Sequence, residues 1–379
     1  MPPAGRAWPW HSTCTDPPAD VLPVETTMTE TFEPTLPLHA FGDVSLREQV
    51  QAALDAKTKP RGALGRLEAL ALQIALIQGR ALPQLRAPQL VVFAADHGIA
   101  AQGVSAFPAA VTRQMVLNFL AGGAAVSVLA RQHGIDVTVA DCGVAAEFEP
   151  HPRLVCLKVA GAEHGSADSS AGPAMSQAQC QAAIMQGRRL VSTLPGNALL
   201  LGEMGIGNSS AAALLMARLT GESPGLCIGR GTGLDDAGLA HKRVVLQRAL
   251  DANAGAATPL QLLAALGGLE IAAMVGALQQ AAAEGRVIVV DGFITTAAVA
   301  VAAAMTPLLL QRCVYAHRSS EAGHSRWLQH LNAQPLLDLD LRLGEGSGAA
   351  LVWPLLESAC RVLSDMASFE SAGVSRRPD

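Results

Sequence analysis

The chain is short of aromatic rings and of charge. Phe, Trp and Tyr make up 3% of its 379 residues and Asp, Glu, Lys and Arg 16%. A nucleic-acid surface needs basic side chains against the phosphates and rings against the bases, and a net charge of -5 with so few rings supplies neither. There is no C-x-x-C pair: the seven cysteines (Cys14, Cys142, Cys156, Cys180, Cys227, Cys313, Cys360) are scattered. Neither a disulfide framework nor a zinc site is therefore indicated, and a reducing cytoplasm is the expected location. Residues 1–36, rich in Pro and Thr, lack the apolar core of a signal peptide. They read as a disordered tail, within which Met28 is a second candidate start. The best membrane candidate, "FITTAAVAVAAAMTPLLL" at 293–310, is mostly alanine and carries Thr295, Thr296 and Pro307. It only just reaches spanning length and reads as a buried helix, so no membrane span is expected.

What is abundant is apolar residue and glycine. Half of the chain is hydrophobic and 36 residues are glycine, enough for a sizeable core in one large or two modest domains. From about residue 45 a helical pattern runs until Lys59-Pro60-Arg61-Gly62, where the proline ends it. "PQLVVFAADHG" is a β-branched apolar run ending in a polar loop, "VTRQMVLNFLAGGAAVSVLARQHG" has helical spacing, and "IDVTVADCGV" reads as the next strand. The alternation recurs in "NALLLGEMGIGNSSAAALLMARLTG" and "AAMVGALQQAAAEGRVIVVDGFITTAAVAVAAAM". Continuous apolar strands between helices predict an α/β protein with a mainly parallel sheet covered on both faces, its ligands at the C-terminal strand ends. Residues 161–176 read as an irregular surface excursion.

Several polar segments fall at those ends. In "LLLGEMGIGNSSAAALL", Gly202, Gly205 and Gly207 let main chain approach a ligand, and Asn208 or Ser209 can cap a helix whose free N–H groups suit a phosphate. It is neither a Walker loop nor G-x-G-x-x-G, and a tight packing turn remains the alternative. Glu203 in the same segment needs a partner or a task, because an unpaired buried carboxylate is costly. "GRGTGLDDAGLAHK" offers Arg230 and Lys242 for an anion, while Asp235 and Asp236 read as acids favoured at a helix N-terminus. Asp96-His97 resembles half of a triad, but no G-x-S-x-G elbow accompanies it, so loop shaping or ligand contact is expected. Asp291 ends a strand, and the histidine spacing in "YAHRSSEAGH" is not that of a zinc motif. In "DLRLGEGSGAA" a lone acid, Glu345, stands among glycines. It is either presented to a substrate or a solvated turn residue.

Taken in order, "ADHGIAAQGVSAFPAAVT", "GEMGIGNSSAAA", "GRGTGLDDAGLAHK", "DGFITTAA", "HRSSEAGH" and "LRLGEGSGAAL" resemble the nicotinate-nucleotide:dimethylbenzimidazole phosphoribosyltransferase family, from about Phe41 to about Ala367. The resemblance implies a Rossmann-like large domain (86–314) and a small helical domain built from both ends of the chain (37–85 and 315–370), with 371–379 as a second tail. It implies a homodimer, no cofactor and no metal, and the transfer of phosphoribose from nicotinate mononucleotide to 5,6-dimethylbenzimidazole, giving α-ribazole 5'-phosphate and nicotinate. By the same matching Glu345 is the catalytic base. Glu203, Gly205 and Asn208 line the nucleotide pocket, Lys242, Ser319 and Ser320 lie near its phosphate, and Asp291 lies near ribose or ring. Phe107, Met115 and Leu343 form an apolar base pocket. The glycine loop continues Asn208-Ser209-Ser210 where the family often has threonines, which keeps both hydroxyls. Two other expectations stay open: the same chemistry on another acceptor base, and a non-catalytic nucleotide-binding protein.

Overall fold

The computed structural model describes residues 32–231 and 233–375. Six strands form one sheet: β1 (Gln89–Ala95), β2 (Asp136–Gly143), β3 (Leu154–Cys156), β4 (Ala198–Met204), β5 (Val287–Val290) and β6 (Cys313–Tyr315). Their order is β3-β2-β1-β4-β5-β6 and every pairing is parallel. The order reverses between β1 and β4, the topological switch point at which doubly wound sheets open a crevice for ligand.

The alternation of side chains along a strand assigns each residue to one of two cores. Val91 and Phe93 of β1 with Leu199 and Leu201 of β4 face the helices Gln177–Thr193, Asn208–Thr220, Leu269–Ala283 and Phe293–Met305. Leu90, Val92, Leu200 and Val289 face Val44–Asp55, Arg66–Gln78, Ala110–Ala121, Ala125–Gln132 and Ser347–Ser364. On the first face the packing is close enough to exclude side chains: a Cβ at Gly187 would stand 1.8 Å from Ala273 O, and one at Gly276 1.9 Å from Ile184 O. The stretch 293–310, expected as one buried helix, is a mostly buried helix only over Phe293–Met305, and Pro307 opens a separate 3-10 turn, Pro307–Arg312.

The helices Arg66–Gln78 and Ser347–Ser364, from opposite ends of the chain, pack in one core. Trp353 and Leu356 share the second core with Leu70 and Ile74, and the termini are tied by Thr58 N–H to Ala367 O (3.0 Å), Phe369 N–H to Ala56 O (3.0 Å) and Lys57 Nζ to Met366 O (2.6 Å). They meet directly on the sheet. Residues 1–31 and 376–379, most of the two expected tails, lie outside the described residues. Residues 32–36 of the first tail are held against the body: Arg188 lies over the Phe32 ring and donates to Glu33 O, and Gln279 donates to Pro34 O. The 110–132 stretch, expected as one helix, is two, because Gly122 takes φ 79° and ends the first. That stretch is the one described segment long and apolar enough to cross a membrane, and the break divides it.

Candidate active site

The C-terminal ends of β1, β4 and β5 converge with the loop before the helix Ser347–Ser364. β4 delivers Glu203, 7% exposed, just before the glycine loop 205–207. Its carboxyl accepts hydrogen bonds from the Asn208 amide and from the Glu345 backbone N–H. No cation pairs with it among the described residues. Burial, and then the charge of Asp291, push its pKa up to about 8.

Glu345 has an unusual backbone. Gly344, Glu345 and Gly346 take φ 80°, 66° and 89° in succession, a left-handed run that a non-glycine residue adopts only when its surroundings hold it there. Two contacts do so. The main chain at Glu345 lies against Gly202 of β4, where a Cβ would come within 2.3 Å of Glu345 O. Beneath it, Asp291 accepts from Gly346 N–H (3.2 Å) and Ala349 N–H (3.0 Å), anchoring the start of the helix. The Glu345 side chain is buried, and its Oε2 has no hydrogen-bond partner. Burial, then the Asp291 charge, raise its carboxyl to about 7. A carboxylate with an uncommitted oxygen and a pKa near neutrality is equipped to take a proton.

Asp291 itself is 2% exposed, with both oxygens engaged by backbone donors and His317 Nε2 3.7 Å away. Its carboxyl is raised by burial, against the pull of His317 and of those backbone donors. In this position it supports the Glu345 turn. Behind it, His324 Nδ1 accepts from Ser319 N–H (2.8 Å) while its Nε2 meets Thr296 Oγ1 at 3.0 Å. Burial, then His317, depress this imidazole to about 3, so it is neutral, with its proton on Nε2. Ser319 is thereby fixed and buried, whereas Ser320 is exposed, its N–H donating to Leu341 O.

Lys242 is 1% exposed and donates to Ser209 Oγ (2.9 Å) in the first turn of the helix after the glycine loop. Gly205, Asn208 and Lys242 therefore belong to one cluster, an ammonium beside a helix N-terminus. Burial draws the ammonium down to about 8 against the opposing charge of Glu321. Asp235 caps the helix Asp236–Ala252, which carries Lys242, through Gly238 N–H (2.8 Å), and Asp236 pairs with Arg230, as expected of acids at a helix start.

The apolar ring pocket is not enclosed. Phe107 is 49% and Leu343 58% exposed, and Met115 packs instead against the second core. Two residues not expected from the sequence also belong here: Glu270, whose Oε1 stands 2.7 Å from His97 Nε2, and Thr112, whose Oγ1 accepts from Ile206 N–H (3.1 Å) and so braces the glycine loop. A lone acid in the apolar run "LAALGGLEIAAMV" was the available signal for Glu270. Asp96 does not orient His97 by a hydrogen bond but accepts from Ala145 N–H at 2.8 Å.

A doubly wound parallel sheet with a glycine loop, a buried lysine and three raised carboxyls where its strands end fits a transferase of nucleotide-borne groups. A family described as "Phosphoribosyltransferase" matches residues 41–374. The chain is 62% identical over 350 residues, 92% of its length and 99% of the relative's, to the nicotinate-nucleotide–dimethylbenzimidazole phosphoribosyltransferase of Variovorax paradoxus. It is 56% identical over 336 residues, 88% and 96% of the two chains, to that of Cupriavidus necator. The crystal structure of CobT from Thermus thermophilus superposes with a TM-score of 0.84 at 43% identity, covering 88% of this chain and all of that one. The chain belongs to the nicotinate-nucleotide–dimethylbenzimidazole phosphoribosyltransferase family.

Proposed function

We propose that this chain transfers the phosphoribosyl group of nicotinate mononucleotide to 5,6-dimethylbenzimidazole, and that Glu345 is the base. One benzimidazole nitrogen attacks C1' as the C1'–N bond to the pyridinium breaks and its electrons return to nicotinate. The proton on the other benzimidazole nitrogen passes to Glu345, and α-ribazole 5'-phosphate forms. The observation that carries this reading is the Glu345 carboxylate, held at φ 66° with a buried, unpartnered oxygen and a pKa raised to about 7.

The glycine loop at Gly205, the Asn208 helix start and Lys242 bind the phosphate end of the nucleotide, with the Ser319-Ser320 segment beside them. Glu203, protonated when its pKa stands near 8, can donate a hydrogen bond on the nucleotide side. Phe107 and Leu343 contact the acceptor ring. The exposure of Phe107 and Leu343 supports a second reading for the acceptor alone, in which other flat bases are also used. It agrees with a homodimer whose second copy completes the pocket. The six described cysteines are free, in keeping with a reducing cytoplasm.

The test is a chromatographic assay of purified protein with nicotinate mononucleotide and 5,6-dimethylbenzimidazole. Nicotinate and α-ribazole 5'-phosphate should appear in equal amounts, and competing bases rank the acceptors. Binding without nicotinate release, whatever base is supplied, would favour a non-catalytic nucleotide-binding protein. Sedimentation velocity measures the oligomeric state.

A further inference from the structure

His97 and Glu270 form a buried pair that the proposed transfer does not use. The His97 side chain is 1% exposed and that of Glu270 0%, with Nε2 and Oε1 2.7 Å apart. Glu270 lies in the first turn of the helix Leu269–Ala283, and its second oxygen has no hydrogen-bond partner. The imidazole stands where three glycines leave room for it. A Cβ at Gly268 would fall 2.3 Å from His97 Cε1, one at Gly205 3.3 Å from Cδ2, and one at Gly207 3.1 Å from the His97 Cβ. The 205–207 loop is thus moulded against His97, and it leads into Asn208, which bonds Glu203.

Resting on the phosphoribosyl-transfer reading, we propose that His97, hydrogen-bonded to Glu270, is a positioning residue that fixes the glycine loop for the nucleotide's phosphate. A proton shared between the two offsets the cost of burying the Glu270 carboxyl and limits the negative potential that it adds to the loop. The electrostatics agree. Burial alone would lower the His97 pKa, but the charge and hydrogen bond of Glu270, with a smaller contribution from Asp96, leave it raised. The other titratable groups that feel Glu270 are Cys142 on β2, whose thiol is pushed up well above its usual value mainly by burial, and Glu203 on β4. Losing the proton on His97 would leave Glu270 uncompensated beside Glu203.

The experiment compares wild type, His97→Gln and Glu270→Gln in steady-state kinetics from pH 6 to 9. Affinity for nicotinate mononucleotide is measured in parallel by calorimetry in the Glu345→Gln background, where turnover is suppressed. At pH 6 both substitutions should raise KM and Kd for the nucleotide by ~10-fold, the scale of one hydrogen bond to a charged group, with kcat changed much less. The ratio of His97→Gln to wild type should shrink as pH rises, because the wild-type imidazolium is then lost as well. Titration of Lys242 is common to both proteins and cancels in that ratio. A ratio constant with pH, or nucleotide affinity unchanged in both variants, overturns the proposal. Circular dichroism and melting identify a variant that fails to fold, and the isosteric Glu270→Gln then carries the test. If wild type binds the nucleotide but releases no nicotinate, the transfer reading fails while the binding ratios still decide the role of His97.

Discussion

Gly202 of β4 and the carbonyl oxygen of Glu345 are so close that a Cβ on the glycine would stand 2.3 Å away. Strand and base-bearing loop therefore touch backbone to backbone, and the position of the candidate base is set by the absence of a side chain on β4. Gly202→Ala must push the loop outward. Overpacking of this kind costs about 1–3 kcal/mol, so a fall in Tm of several degrees is expected, and kcat should drop far more than KM because Glu345 moves while the Lys242 cluster does not. Thermal melts with kinetics check it; wild-type kcat in a folded variant would show that the loop tolerates displacement.

Glu345→Gln keeps size and removes basicity. A positioned base contributes ~10²- to 10⁴-fold, and a loss of kcat in that range is expected with nucleotide affinity near wild type. The pH profile follows from the carboxyl raised to about 7: below that pH the base is protonated, so kcat should fall with pH and approach a tenfold loss per unit. Asp291→Asn should move this acid limb to lower pH, because the Asp291 charge is one of the causes that raise Glu345, and should lower Tm, because the backbone donors of Gly346 and Ala349 lose a charged acceptor.

Glu203 gives a prediction about stability with the opposite sense to most carboxylates. Its folded pKa of about 8 lies above the ordinary value of 4.5, so between these values the folded chain holds a proton that the unfolded chain has released. Its contribution is fully present below the unfolded pKa and is lost as pH rises through about 8. Glu203→Gln cannot ionise and should escape that loss. The variant should melt close to wild type at pH 5 and above it at pH 9; a difference independent of pH would mean that Glu203 is not buried as a neutral acid.

The sequence made most of this arrangement legible, for reasons that differ between its parts. Continuous apolar runs such as "LVVFAA" and "VIVV" have one use in a chain of this kind, and they are β1 and β5. Glu345 stood out because an acid between glycines has few structural reasons to be there. The His97 and Glu270 pair did not stand out, since 173 positions separate the two and only the crossover at the switch point brings them together. Asp291 was recognisable as a strand-end acid, but its hydrogen-bond donors are backbone groups more than fifty residues later, and backbone carries no sequence signal. Helical spacing continues through Gly122-Gly123, so the break there depended on a φ of 79° that spacing does not encode.

Lys242 separates binding from chemistry. It is buried beside Ser209, with its ammonium drawn down to about 8 by loss of solvent, and the proposed phosphate would restore its charge. Lys242→Met preserves length and apolar volume while removing the cation. KM and Kd for nicotinate mononucleotide should rise by about 10- to 100-fold, the range of a charge-assisted hydrogen bond, while kcat at saturation falls little because Glu345 is untouched. Nicotinate riboside, which lacks the phosphate, provides the control. Wild type and Lys242→Met should bind the riboside alike, so the ratio of nucleotide to riboside affinity should collapse in the variant. If the riboside is weakened equally, Lys242 supports the shape of the site and does not contact the phosphate. Raising the pH through 8 should weaken nucleotide binding by wild type more than riboside binding, because loss of the free ammonium acts through the phosphate.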